Sequence, residues 1–274
     1  MVCLNLEPPP TKAAFTSLFN TIALERHRLD VWKDFVTSSA IALHNAVAMT
    51  ESLENEYLEI ILGYDDQDKQ SLCELFSLLV QLLDTAPVDI LGQLYMELGL
   101  ASKENGQYFT PSSVCELMAE FTAGDNLRST SQYDFVTLHD PACGSGGMIL
   151  AFTRKLIRMG RNPADHLWVQ CIDVNRVAAL MAYIQLSLWN IPAEIVVGNT
   201  LSLKFKEHWY TPAHYRNGWE SKLRLKKTCE KLKELSQTKE VMVEEREEKP
   251  NPETPDNTPQ KALSDAQVQF DFRL

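Results

Sequence analysis

Apolar side chains recur three and four positions apart through the first third of the chain. Phe15, Leu18, Phe19 and Ile22 make one such row within residues 12–30, and Val31, Phe35, Ala42 and Val47 make another within residues 31–50. That spacing lines one face of a helix. Thr50-Glu-Ser-Leu-Glu54 suits the start of a further helix. Leu72, Leu75, Phe76, Leu79 and Leu82 form a broad stripe between Asp68 and Leu83. Residues 88–98 continue the pattern as far as Gly99, a residue that closes helices readily. A helical bundle is expected here.

From Tyr133 the period changes. Phe135-Val-Thr-Leu-His139 predicts a strand that ends on Asp140-Pro141. A Gly-rich turn over 144–147 leads into an apolar helix from Met148 to Met159, stopped by Gly160-Arg-Asn-Pro163. Trp168–Ile172 predicts a second strand closing on Asp173, residues 175–188 a second helix, and Glu194–Val197 a third strand ending at Gly198-Asn199. This β-α-β-α-β order with short loops predicts a parallel, doubly wound α/β sheet.

After Leu203 the alternation stops. His208 to Trp219 is aromatic, polar and irregular. Residues 220–248 predict a charged helix with a thin stripe of Leu225, Leu232 and Leu235. Four prolines between 249 and 265 predict a disordered linker. The last seven residues alternate apolar and polar, with Val268, Phe270, Phe272 and Leu274 on one side; they either form a frayed, disordered tail or dock as a strand on the open edge of this sheet or a partner's, and the first is favoured. The expected division is an acidic helical domain over 1–87, an α/β domain over 88–222 and an appendage over 223–274.

Of the 274 residues 45% are hydrophobic and 23% charged, which excludes a mostly disordered or fibrous chain. No apolar run approaches the ~20 residues that span a bilayer, and the N-terminus carries no basic and apolar leader pattern. A cytoplasmic protein without a membrane partner is expected. No two of the six cysteines lie closer than 28 residues, so neither a zinc site nor another metal site is expected. The net charge is −11, and residues 1–90, with 5 Lys and Arg against 14 Asp and Glu, hold −9 of it. A surface of that sign repels a phosphate backbone.

The strongest chemical signal is Asp140-Pro-Ala-Cys-Gly-Ser-Gly-Gly147. A strand ends, the chain turns on glycines and a helix begins, so backbone can approach a ligand closely. No Gly-Lys-Ser/Thr follows, which excludes a P-loop, and the spacing is not Gly-x-Gly-x-x-Gly. An acidic residue opening such a turn suits a ligand with a positive end, such as the amino group or sulfonium of S-adenosylmethionine. Asp173, at the next strand tip, can accept both ribose hydroxyls, and Asn199, at the third, can meet an adenine edge.

Gly106-Gln-Tyr-Phe-Thr-Pro111, the Asp140–Gly147 motif and Gly198-Asn-Thr200 together resemble the N6-adenine DNA methyltransferase family, in particular the modification subunit of type I restriction-modification systems. The resemblance covers roughly residues 88–203. It implies a shortened Rossmann-like methyltransferase fold preceded by a helical domain, with S-adenosylmethionine as cofactor and DNA as partner. It implies that Tyr108, Phe109 and Thr110 line the methionine end. It also implies that Asp140, Cys143, Gly144 and Gly146 lie under the cofactor, with Asp173 on the ribose and Asn199 near the adenine. The plainer reading of Tyr108 and Phe109 is a loop anchor in the core.

One element of the family pattern is not found. The catalytic Asn/Asp-Pro-Pro-Tyr/Phe, expected at the tip of a fourth strand, accepts the adenine amino protons and stacks on the extruded base. The sequence holds Trp209-Tyr-Thr-Pro-Ala-His214 in that place, so the catalytic residues are unassigned. The aromatics from Trp209 to Trp219, with Arg216, either replace the motif as a stacking surface or cover an open sheet edge; the second is favoured. The expected function is that of a methyltransferase-family protein that binds DNA weakly alone. Its activity is expected to be weak or to depend on a partner that supplies DNA recognition. The alternative is a non-catalytic cofactor-binding adaptor.

Overall fold

Thr11 opens the first helix, its hydroxyl accepting the Ala14 N–H at 3.1 Å, one of the four donors that a helix start leaves without partners. The computed structural model describes residues 11–101, 109–129 (backbone alone beyond 122) and 135–232. The expected linker at 249–265 and the alternating segment at 268–274 lie outside these residues. Helices α1 (Lys12–Phe19), α2 (Arg28–Ala48), α3 (Glu51–Leu62), α4 (Asp66–Leu83) and α5 (Ile90–Glu97) follow in order, as the apolar spacing predicts. Asp65 caps α4 through the Asp68 N–H at 2.8 Å, and Asp89 caps α5 through the Gly92 N–H at 2.8 Å.

Trp32 on α2 sits at the centre of this layer. It is fully buried, with Phe15, Phe19, Phe35 and Tyr95 around it at ring-centroid distances of 5.7–6.3 Å. Each such pair contributes about 0.5–1.5 kcal/mol beyond the area it buries.

The sheet comprises β1 (Val136–Asp140), β2 (Leu167–Asp173), β3 (Ala193–Asn199) and β4 (Lys204–Tyr210) in that spatial order. The first three are parallel. Their crossovers are α7 (Gly147–Arg158) with the short α8 (Pro163–His166), and then α9 (Arg176–Leu188). Within the described residues the parallel strands wind one way only, from β1 to β3, and an antiparallel β4 follows, so the expected doubly wound, Rossmann-like sheet is present as one half, in a mixed four-stranded sheet. Helix α6 (Ser112–Ser129) packs on α7, and α10 (Pro212–Arg216) follows β4.

Residues 178–186 of α9 are all buried. A helix with no exposed side must be covered on both sides. The sheet covers one and α2 the other. The expected domain boundary at 87/88 therefore falls inside one continuous core, which runs from Phe15 through Leu94 to Trp209. Residues up to 223 form one compact unit; a second begins at 224, and its described residues are helical.

Strand β4 departs from the expectation that the pattern becomes irregular after Leu203. It runs antiparallel to β3, with Lys204 opposite Asn199 and Tyr210 opposite Glu194. The alternation is masked because Trp209 alone of the strand is buried: Phe205 and His208 are exposed, and Glu207 shares the Trp209 side, where it accepts the indole N–H at 3.0 Å. No described helix is long and apolar enough to cross a membrane.

Candidate functional site

Parallel strands end side by side about 4.8 Å apart, so their C-terminal tips present side chains as a row. Asp140 closes β1, Asp173 closes β2 and Asn199 closes β3. The register places Asp140 level with Cys171 and Asp173 level with Val197, so each tip reaches two residues beyond its neighbour.

Asp173 shapes the turn after β1. One carboxylate oxygen accepts the Gly144 N–H and the other the Asn175 N–H, both at 2.8 Å. Asn175 in turn caps α9 through the Ala178 N–H at 3.0 Å. The turn itself is closed by the Cys143 N–H on Ile172 O and the Gly146 N–H on Cys143 O. Gly144 and Gly146 have φ of 55° and 88°, a region costly for side chains with a Cβ. A Cβ on Gly144 would also stand 3.2 Å from the Phe109 ring.

Asp140 accepts the Ala142 N–H at 3.1 Å. Burial raises its carboxyl above the usual range, with the charge of Asp173 adding to the rise and the Ala142 N–H opposing it. The Cys143 thiol is buried and turned inward against the Cys171 thiol, which together with burial pushes it well above the ordinary thiol range. Its contribution is to the floor of the turn.

A cavity of about 300 Å³ lies beside the turn. The segment from Asp140 to Gly147 makes one wall, and Asp89, Phe109, Thr110, Cys115 and Met118 make the other. Burial, then the charges of Asp89 and Asp140, raise the Cys115 thiol. Asp173 and Asn199 stand beyond this lining. Among the described residues, Asp89, Asp140 and Asp173 form no salt bridge, and no group of three or more His, Cys, Asp or Glu could hold a metal ion. Glycine backbone without side chains, together with unneutralised carboxylates, suits a cofactor whose sulfonium and amino groups are cationic.

Of the sequence-predicted residues, Phe109, Thr110, Asp140, Cys143 and Gly144 line the cavity, and Gly146 sets the first turn of α7. Tyr108 lies outside the described residues. Asn199 is exposed, its side-chain oxygen accepting the Ser202 N–H at 3.0 Å. Asp89, Ser145 and Gln185 were not anticipated. The available signal was Gly92, an isolated glycine in a helical pattern, which marks a close approach.

The stretch from Trp209 to Trp219 is not at the tips. Tyr210 pairs with Glu194, five residues down β3 from Asn199, or about 16 Å at the rise of an extended strand. Trp209 is buried against His44 and Tyr183, and Trp219 against Phe135. Trp209 and Trp219 are core, whereas Tyr215 is exposed. On the sheet face opposite Trp209, Glu194 accepts hydrogen bonds from Gln170, His208 and Tyr210 at 2.7–2.9 Å.

Residues 88–217 match the family model described as N-6 DNA Methylase. Among solved structures, a Listeria monocytogenes protein assigned to the class I S-adenosylmethionine-dependent methyltransferases matches at 14% identity and a TM-score of 0.35. The match covers 66% of this chain and 51% of that one, so this chain spans about half the length of its match. No curated protein matches the chain.

Proposed function

With residues 88–217 matching the N-6 DNA methylase family, we propose that the chain binds S-adenosylmethionine across the tips of β1, β2 and β3 and serves methyl transfer to N6 of adenine in DNA. The observation that carries this reading is Asp173 holding the Gly144 turn from the neighbouring strand while Asp140 opens that turn. The cofactor supplies a methyl group on a sulfonium centre. Asp173 keeps outward lone pairs for the ribose hydroxyls, and the Asn199 amide donates toward the adenine edge. Phe109 and Thr110 close the methionine end.

A second reading is favoured by the position of Trp209 to Trp219. Transfer to adenine needs acceptors for its amino protons and a stacking surface beside the methyl group. The paired part of the stretch, Trp209 and Tyr210, sits at the opposite end of the sheet. The chain then acts with a partner, as the modification component of a restriction-modification system does, or as a cofactor-binding adaptor without catalysis of its own.

Calorimetry with S-adenosylmethionine, followed by labelled-methyl incorporation into genomic DNA, separates the readings. Incorporation into adenine that vanishes in Asp140→Ala supports the enzyme. Binding without incorporation supports the adaptor. Absence of binding overturns both.

A further inference from the structure

Asp89 is the one carboxylate of the cavity that comes from the helical part of the chain. It sits in a built recess. Oδ1 accepts the Gly92 N–H at 2.8 Å and the Gln185 Nε2–H at 3.0 Å, and Oδ2 accepts the Ser145 hydroxyl at 2.5 Å. Gln185 is fully buried on α9 and also donates to Ser145 O at 2.8 Å, while its own oxygen accepts the Leu91 N–H at 3.1 Å. Gly92 makes the recess, since a Cβ there would lie 2.1 Å from Oδ2 of Asp89 and 2.5 Å from the Ser145 hydroxyl.

Three neutral donors fix this carboxylate, and among the described residues no cation neutralises it, yet it faces the cavity. A carboxylate held this way stabilises a positive charge placed beside it. The row of tips decides which charge that is. With ribose at Asp173 on β2 and adenine at Asn199 on β3, the part of the cofactor left to fill the cavity on the β1 side is its amino-acid end.

We infer that Asp89 is a specificity-determining residue that receives the α-ammonium group of the cofactor's amino-acid end, with Gln185 and Ser145 as positioning residues. This rests on the cofactor reading above. Asp89→Asn keeps the shape of the recess, because the amide oxygen still accepts from Gly92 and Gln185 and the Ser145 hydroxyl can reverse; only the charge is removed.

Calorimetry on the full chain tests this with three ligands: S-adenosylmethionine, S-adenosylhomocysteine and 5′-methylthioadenosine, the last lacking the amino-acid end. Asp89→Asn should weaken the first two by about 10- to 100-fold, the range for a lost charge-assisted hydrogen bond. Affinity for 5′-methylthioadenosine should stay within about twofold, a split that a general loss of fold does not produce. An equal loss for all three ligands, or no loss for any, overturns the inference.

Should the variant fail to fold, the wild-type chain is compared on S-adenosylhomocysteine and its deaminated analogue. Equal affinities overturn the inference, and weaker binding of the analogue by about tenfold or more supports it. A wild-type chain that binds 5′-methylthioadenosine as tightly as the other two sinks the assignment of Asp89 alone. One that binds none of the three sinks the cofactor reading and this inference together.

Discussion

Asp173 on β2 holds the backbone N–H of Gly144, 29 residues away in the turn after β1, at 2.8 Å. The carboxylate expected to meet the ribose is thus also a fastener of the turn beneath the cofactor. Its second oxygen caps the start of the next segment at Asn175.

Asp173→Ala should therefore reduce stability as well as cofactor affinity. Two backbone donors lose their acceptor, which costs about 1–3 kcal/mol if they stay buried. Asp173→Asn keeps one acceptor and should fall between. Urea unfolding and calorimetry with S-adenosylmethionine on the same samples check this, and a variant of unchanged stability would contradict the fastening role.

Gly146→Ala meets two obstacles. The residue has φ of 88°, and the new methyl would stand 3.3 Å from Cβ of Ala182 on α9. A left-handed residue costs about 1–2 kcal/mol. The expected outcome is a loss of at least that size in urea unfolding, with weaker cofactor binding because the start of α7 shifts.

Trp209→Ala should lower stability by about 3–5 kcal/mol, the range for emptying a large core site. Trp209→Phe should fold, since it keeps a ring beside Tyr183 and His44. Its affinity for S-adenosylmethionine should match the wild type, because the position lies at the far end of the sheet from the tips. A tenfold loss in calorimetry with folded Trp209→Phe would return this segment to the site.

Acidification should destabilise the fold in two steps. Burial lowers the His44 and His214 pKa values, so the unfolded chain takes up protons near pH 6.5 before the folded one does. Their contribution is present above that pH and lost as pH falls toward the folded values. Glu194 is also lowered: burial acts against this, but the hydrogen bonds from Gln170, His208 and Tyr210 prevail. Its contribution is present above about pH 4.5 and is lost below it. Urea unfolding from pH 7.5 to 5 should show a smaller decline for His44→Leu than for the wild type, and an equal decline would contradict the assignment.

In isolation the chain should hold duplex DNA weakly and without sequence preference. Residues 1–90 carry net −9, and phosphate neutralisation supplies most non-specific affinity. Fluorescence anisotropy at physiological salt checks this; a nanomolar, sequence-selective complex of the purified chain would contradict it.

What the sequence by itself determined was local. Apolar spacing of three and four marked α1 to α5, and the strand–glycine–helix passage at Asp140–Gly147 marked the candidate site, because both signals depend on neighbours along the chain. Glycines 144 and 146 could be assigned a turn because φ is a property of single residues. Only the tertiary structure decided the rest. Gln185 looks like one polar residue in an apolar helix, yet it joins Leu91 and Ser145 across 94 and 40 positions. Asp89 looks like a helix cap and is one, but its other oxygen reaches the cavity beside Ser145. The direction of β4 was equally hidden, since a strand's side-chain pattern is the same whichever way it runs. That direction carries Trp209 to the lower end of the sheet, because an antiparallel partner of β3 must start where β3 ends.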